Sequence, residues 1–128
     1  MKINKIHHIA IICSNYEASK KFYTDILGFN IKKETYRAER DSYKLDLMLN
    51  DAYIIELFSF PHPPLRPTQP EALGLRHLAF EVNNLDEAIA YLEKKGVHTE
   101  GVRIDEITNK RFTFFGDPDN LPLEFYEK

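Results

Sequence analysis

Four ionisable side chains stand in matching apolar settings. His8 opens His8-Ile9-Ala10-Ile11, and His77 opens His77-Leu78-Ala79-Phe80. Glu56 lies inside Ile54-Ile55-Glu56-Leu57-Phe58, and Glu124 inside Leu121-Pro122-Leu123-Glu124-Phe125. Glu56 follows His8 by 48 residues and Glu124 follows His77 by 47, while the two His are 69 apart and the two Glu 68. The chain reads as one unit written twice. A carboxylate buried among Ile, Leu and Phe needs a cation or must stay protonated, and neither run contains Lys or Arg to neutralise it. Two imidazoles and two carboxylates suit a borderline divalent ion and leave positions open for water or substrate. A lone His or Glu in such a run is ordinarily a hydrogen-bonded core residue or an edge residue. Packing, however, gives no reason for ionisable groups to recur at the same places in both copies. His7 rivals His8, but only His8 shares the His-x-Ala step with His77; His62 and His98 read as surface residues.

The elements that must position these residues follow from periodicity. Ile6 to Cys13 alternates like a strand covered on both faces, with Ile6, His8, Ala10 and Ile12 on one and His7, Ile9, Ile11 and Cys13 on the other. Ser14 or Asn15 can cap a helix whose stripe is Ala18, Phe22, Tyr23, Ile26 and Leu27, closed by Gly28. Strands are expected over 29–36, 44–49 and 53–60, with Asn50-Asp51 as a hairpin turn. Five of the seven prolines fall between Pro61 and Pro70, which makes 61–74 a linker. The second copy repeats the plan. Strand 76–82 is followed by the cap Asn84, a helix stripe of Leu85, Ala88, Ile89 and Leu92, and Gly96. Further strands are expected over 97–104, 111–115 and 121–126, the last two joined by the turn Asp117-Pro118-Asp119-Asn120. This is an α+β chain of 128 residues, one domain made of module one (1–60), linker (61–74) and module two (75–128).

Composition narrows the function. A hydrophobic share of 43%, a charged share of 29% and a net charge of −3 describe a globular protein with no electrostatic case for nucleic acid. No apolar run reaches membrane-spanning length and no signal peptide is evident. The single cysteine, Cys13, reads as a packed core thiol, which fits a reducing cytoplasm.

The paired strand-helix-three-strand plan, the His-Ile-Ala-Ile run with Asn-Tyr-x-Ala-Ser-Lys-Lys-Phe-Tyr, and Asp-Pro-Asp-x-Leu-Pro-Leu-Glu resemble the vicinal oxygen chelate superfamily, glyoxalase I-like proteins in particular. The resemblance implies two tandem βαβββ modules forming a curved mixed sheet around a metal cavity. It implies His8, Glu56, His77 and Glu124 as ligands of nickel, cobalt or zinc, in a homodimer or a single chain. It also implies a lyase or isomerase that moves a proton on a small substrate with adjacent oxygens, through an enediolate, with Glu124 or Glu56 as the base. Phe58 and Phe114 would shape the pocket. Ile12 and Phe60 stand where glyoxalases resembling this chain often carry the Arg and Asn that help bind glutathione, which points away from a glutathione hemithioacetal. Asn120 replaces the usual Gly after Asp-Pro-Asp, in a turn that tolerates it. An epimerase resembling the methylmalonyl-CoA enzyme, a non-catalytic small-molecule-binding or resistance protein, and a dioxygenase are the alternatives. A fourth ligand at Glu56 counts against the dioxygenase.

Overall fold

The computed structural model describes residues 1–128, as two compact units, Met1–Pro64 and Leu65–Lys128. Each unit is a four-stranded mixed sheet with a helix between its first and second strands.

In the first unit the strands are β1 (Ile9–Cys13), β2 (Asn30–Arg37), β3 (Ser42–Leu49) and β4 (Ala52–Ser59), in the order β1-β4-β3-β2. β1 runs parallel to β4 and the remaining neighbours are antiparallel. Helix α1 (Tyr16–Lys21) is capped by Asn15, whose side chain accepts from the Ala18 N–H at 3.1 Å. It continues as a wider π-type turn over Phe22–Ile26, and Gly28, at φ 81°, ends it. Its buried face is Tyr16, Ser19, Phe22 and Tyr23. Phe22 and Tyr23 are buried and Ile26 and Leu27 half-buried as expected, but Ala18 is exposed and Ser19 takes its place on the buried face. Tyr16 stacks on Tyr43 of β3, ring centroids 4.4 Å apart. Behind this contact Leu45, Leu47, Ile55 and Leu57 have no exposure and form the core. Strand alternation sends Lys44, Asp46, Glu56 and Phe58 to the opposite face, away from the helix.

Asn50 and Asp51 both take positive φ, 49° and 65°, the conformation of a two-residue hairpin turn whose twist matches its strands. The ladder then slips at Leu47/Met48, so that Asp46 lies opposite Glu56. That bulge decides which β3 residues face Glu56.

The second unit has β5 (Leu78–Val82), α2 (Leu85–Lys94), β6 (Arg103–Ile104), β7 (Arg111–Gly116) and β8 (Pro122–Glu127), with strand order β5-β8-β7-β6. Asn84 caps α2 by accepting from the Glu87 N–H at 3.1 Å, and Gly96 (φ 80°) matches Gly28. Leu85, Leu92, Thr113, Phe115, Leu123 and Phe125 are buried. The strand expected over 97–104 is a correction: only Arg103–Ile104 and a single bridge from Thr99 to Phe115 form. The intervening Glu100-Gly101-Val102 lacks the alternating apolar face that would hold a longer strand down. In the turn before β8, Asp117 Oδ1 accepts from the Asp119 and Leu121 amides at 2.9 Å each. Asn120 takes φ 62° there, as its place in the turn requires.

Candidate metal centre

Both His–Glu pairs are built by the same register. In the first unit Ala10 pairs with Glu56 across the parallel β1–β4 ladder; in the second, Ala79 pairs with Glu124 across β5–β8. Each His lies two residues before its Ala, hence on the same face as its Glu. His8 Nε2 stands 3.4 Å from Glu56 Oε1, and His77 Nε2 stands 2.8 Å from Glu124 Oε2. The structure brings each His to its own Glu; no group of three or more His, Cys, Asp or Glu side chains is gathered as metal ligands within the chain.

The surroundings differ between units. Glu56 accepts a hydrogen bond from the Tyr53 hydroxyl, and Lys44 Nζ lies 3.5 Å from its Oε2. Lys44 also pairs with Asp46 at 2.9 Å, and the Tyr53 hydroxyl reaches Asp46 at 3.2 Å. Burial, and then the bond to Glu56, pushes the Tyr53 phenol well above its usual range, so it remains a donor. The hydrogen bond to Asp46 raises Lys44, which keeps its charge. Glu56 is therefore not left without a cation, contrary to the expectation from its own strand, because the neutralising lysine comes from the next strand.

In the second unit, Phe114 pairs with Glu124 where Asp46 pairs with Glu56. Glu124 is buried, 7% exposed, against His77. Phe114 meets the His77 ring edge-on at 5.0 Å. Arg76 Nη1 lies 3.0 Å from His77 Nδ1. A guanidinium can only donate, so Nδ1 accepts and the proton of a neutral ring sits on Nε2, aimed at Glu124. In the first unit His7 and His8 face each other Nδ1 to Nδ1 at 2.8 Å. With the shared proton on His8 Nδ1, the Nε2 lone pair is available.

The spacing within each His–Glu pair suits two ligands of a divalent ion. Donors on adjacent corners of an octahedron with bonds of about 2.1 Å lie roughly 3 Å apart, close to both His–Glu spacings. His77 would have to give up its Nε2 proton, and with it the Arg76 contact. Lys44, Asp46, Tyr53, Arg76 and the tautomer that Arg76 imposes on His77 escaped the sequence reading. The alternation Lys44-Leu45-Asp46-Leu47 carried the signal for the first two. A plain two-residue hairpin, though, would have put Asp46 opposite Ile55, on the wrong face.

Other expectations are met or corrected. Cys13 is buried and its thiol donates to the Phe58 carbonyl at 3.3 Å, while His62 and His98 are exposed. The strand around His8 is not covered on both faces in the single chain. Ile11 and Cys13 are buried, yet Ile12, on the other face, is 54% exposed, and Ile6, which precedes the strand, is 82% exposed.

Residues 5–125 match the model of the glyoxalase/bleomycin resistance protein/dioxygenase superfamily. The chain belongs to this superfamily. Among superfamily relatives, the uncharacterized protein YwkD of Bacillus subtilis (strain 168) is 64% identical over 128 residues, with all of both chains covered. The crystal structure of the glyoxalase family protein from Enterococcus faecalis superposes with a TM-score of 0.91 at 49% identity, covering 99% of this chain and 100% of that one. Lactoylglutathione lyase of Schizosaccharomyces pombe is 27% identical over 97% of this chain and 47% of its own length. The expected fold, two tandem modules each with a four-stranded mixed sheet, is that of this superfamily, and the sheets stay open. No helix is long and apolar enough to cross a membrane.

Proposed function

We propose that the chain is a metal-dependent lyase or isomerase of the glyoxalase type, with His8, Glu56, His77 and Glu124 as the ligands of one divalent ion (nickel, cobalt or zinc). The observation that carries this reading is the identical register of the two His–Glu pairs, Ala10 with Glu56 and Ala79 with Glu124. The donor set agrees with it: nitrogen and oxygen without sulfur is typical of sites that exchange water or substrate, whereas structural zinc sites are closed and commonly rich in cysteine. The whole chain acts as a single domain, in a cytoplasmic homodimer. The exposed Ile6, two residues before His8, is apolar surface that a second copy would cover.

A bound ion would supply Lewis-acid stabilisation of negative charge developing on adjacent substrate oxygens. The chain's own residues do the rest. Glu124, buried beside His77, takes the proton from the hydroxyl-bearing carbon next to the substrate carbonyl and returns it to the former carbonyl carbon, while the hydroxyl proton passes to the former carbonyl oxygen. Glu56 is the second candidate for this role, but Tyr53 and Lys44 already engage it, which suits it better to a fixed position. Phe58 and Phe114 flank the two glutamates on their sheet faces and limit water.

The test is solvent deuterium incorporation into small 2-hydroxy ketones by nickel- or cobalt-loaded protein. Wild type should incorporate label, and Glu124→Gln should lose incorporation while keeping much of its metal. Equal, slow exchange by both proteins across a broad panel would mean that the site binds without turning over.

A further inference from the structure

Two arginines of this chain rest on aromatic pairs, and only one of them has an acidic partner. In the second unit Arg103 lies over Phe112 and Phe114, at 5.5 and 5.1 Å from the ring centres, and bonds to Glu100 at 2.9 Å. In the first unit Arg37, the last residue of β2, lies over Phe58 at 4.9 Å and Phe60 at 5.7 Å. Those two rings are nearly parallel, 13° apart, with centroids 6.0 Å from each other. Arg37 Nη2 donates to the hydroxyl of the buried Ser42 at 2.9 Å. Its Nε–H is buried and meets no acceptor. The ion pairs on the same sheet face, Lys44–Asp46 and Lys44–Glu56, leave Arg37 out.

A guanidinium on an aromatic platform, with one arm fixed and a neighbouring N–H unmatched, is prepared for a planar anion. Its place in the sheet adds to this. Phe58 follows Glu56 by two residues on the same strand face, about 6.8 Å along the strand. Ile12, exposed and paired in register with Phe58, extends the apolar surface beside it. Lys44 is already committed to Asp46 and Glu56, so a single guanidinium offers one positive charge. That balances a monoanion better than a phosphate dianion.

We infer that Arg37, held in place by Ser42, forms a carboxylate-binding subsite with Phe58, Phe60 and Ile12, so that the substrate is a small acid with an apolar body. Its adjacent oxygens lie at the His8–Glu56 end and its carboxylate at Arg37. The orientation rests on the function proposed above; the carboxylate preference itself does not require the metal.

Two probes that differ in the carboxylate test the subsite: 3,4-dihydroxyphenylacetate and 4-methylcatechol, titrated calorimetrically into wild-type protein with and without nickel. The acid is expected to bind about tenfold or more tightly than the neutral probe, from one charged hydrogen-bonding contact. Arg37→Met should equalise the two probes without lowering nickel uptake. Arg37→Lys, which keeps the charge but loses the fork, should retain only part of the preference; it decides the matter if Arg37→Met does not fold. No binding of either probe, no preference in wild type, or a preference undiminished in the variants overturns the subsite. If nickel is not retained but the Arg37-dependent preference persists, the metal reading fails and the subsite stands.

Discussion

Replacing Tyr53 by Phe removes the hydroxyl that bonds Glu56 and Asp46 while leaving Lys44 beside both carboxylates. Partners that orient a ligand commonly matter by about 10- to 100-fold in metal affinity, so Tyr53→Phe should weaken nickel binding at the low end of that range. A competition titration reads this directly, and unchanged affinity would mean that Tyr53 does not orient Glu56. The proximity of each His to its own Glu was legible in the sequence because His and Glu recur in duplicate apolar runs. Their immediate partners were not. Tyr53 and Lys44 reach Glu56 only through a hairpin bulge, and Arg76 acts on His77 through a tautomer that no residue pattern specifies. Arg37 was not legible as a binding residue, because its stacking on Phe58 and Phe60 needs the β2–β3–β4 register.

At the scale of elements, the strand-helix-three-strand plan was legible twice over. Asn15 and Asn84 mark both helix starts, and Gly28 and Gly96 both ends. What failed was burial. Alternation shows that a strand has two faces but not whether both are covered, and β1 proved buried only on its Ile11–Cys13 side. The second unit is also tied across elements by Arg111 of β7, which bonds Glu127 of β8 at 2.9 Å and Asp86 of α2 at 3.2 Å. The Arg111 guanidinium holds the Glu127 carboxyl below its usual range. A carboxyl lowered on folding contributes stability that is fully present above its unfolded value, about 4.3, and is lost as pH falls through its folded value. Urea unfolding followed from pH 7 down to pH 3 should therefore show a smaller acid-induced loss in Glu127→Gln than in wild type. Identical pH slopes would indicate that the Arg111–Glu127 contact is fully screened by water.

For the whole molecule, the repeated sheets each carry one imidazole and one carboxylate, and one divalent ion requires more ligands than either supplies. Sedimentation at micromolar concentration should show a species of twice the 15.0 kDa chain mass; a 15 kDa species that still holds metal would place the complete site within one chain. Chain length, the proline-rich linker and the duplicated motif made the two-module plan legible, but the spacing of His and Glu cannot reveal which copies share an ion. The most direct measurement is the metal content of protein purified without added metal and then dialysed against nickel. The account predicts one ion per set of four ligands in wild type and almost none in the His8→Ala, His77→Ala double variant. Equal metal content in the two proteins would contradict it.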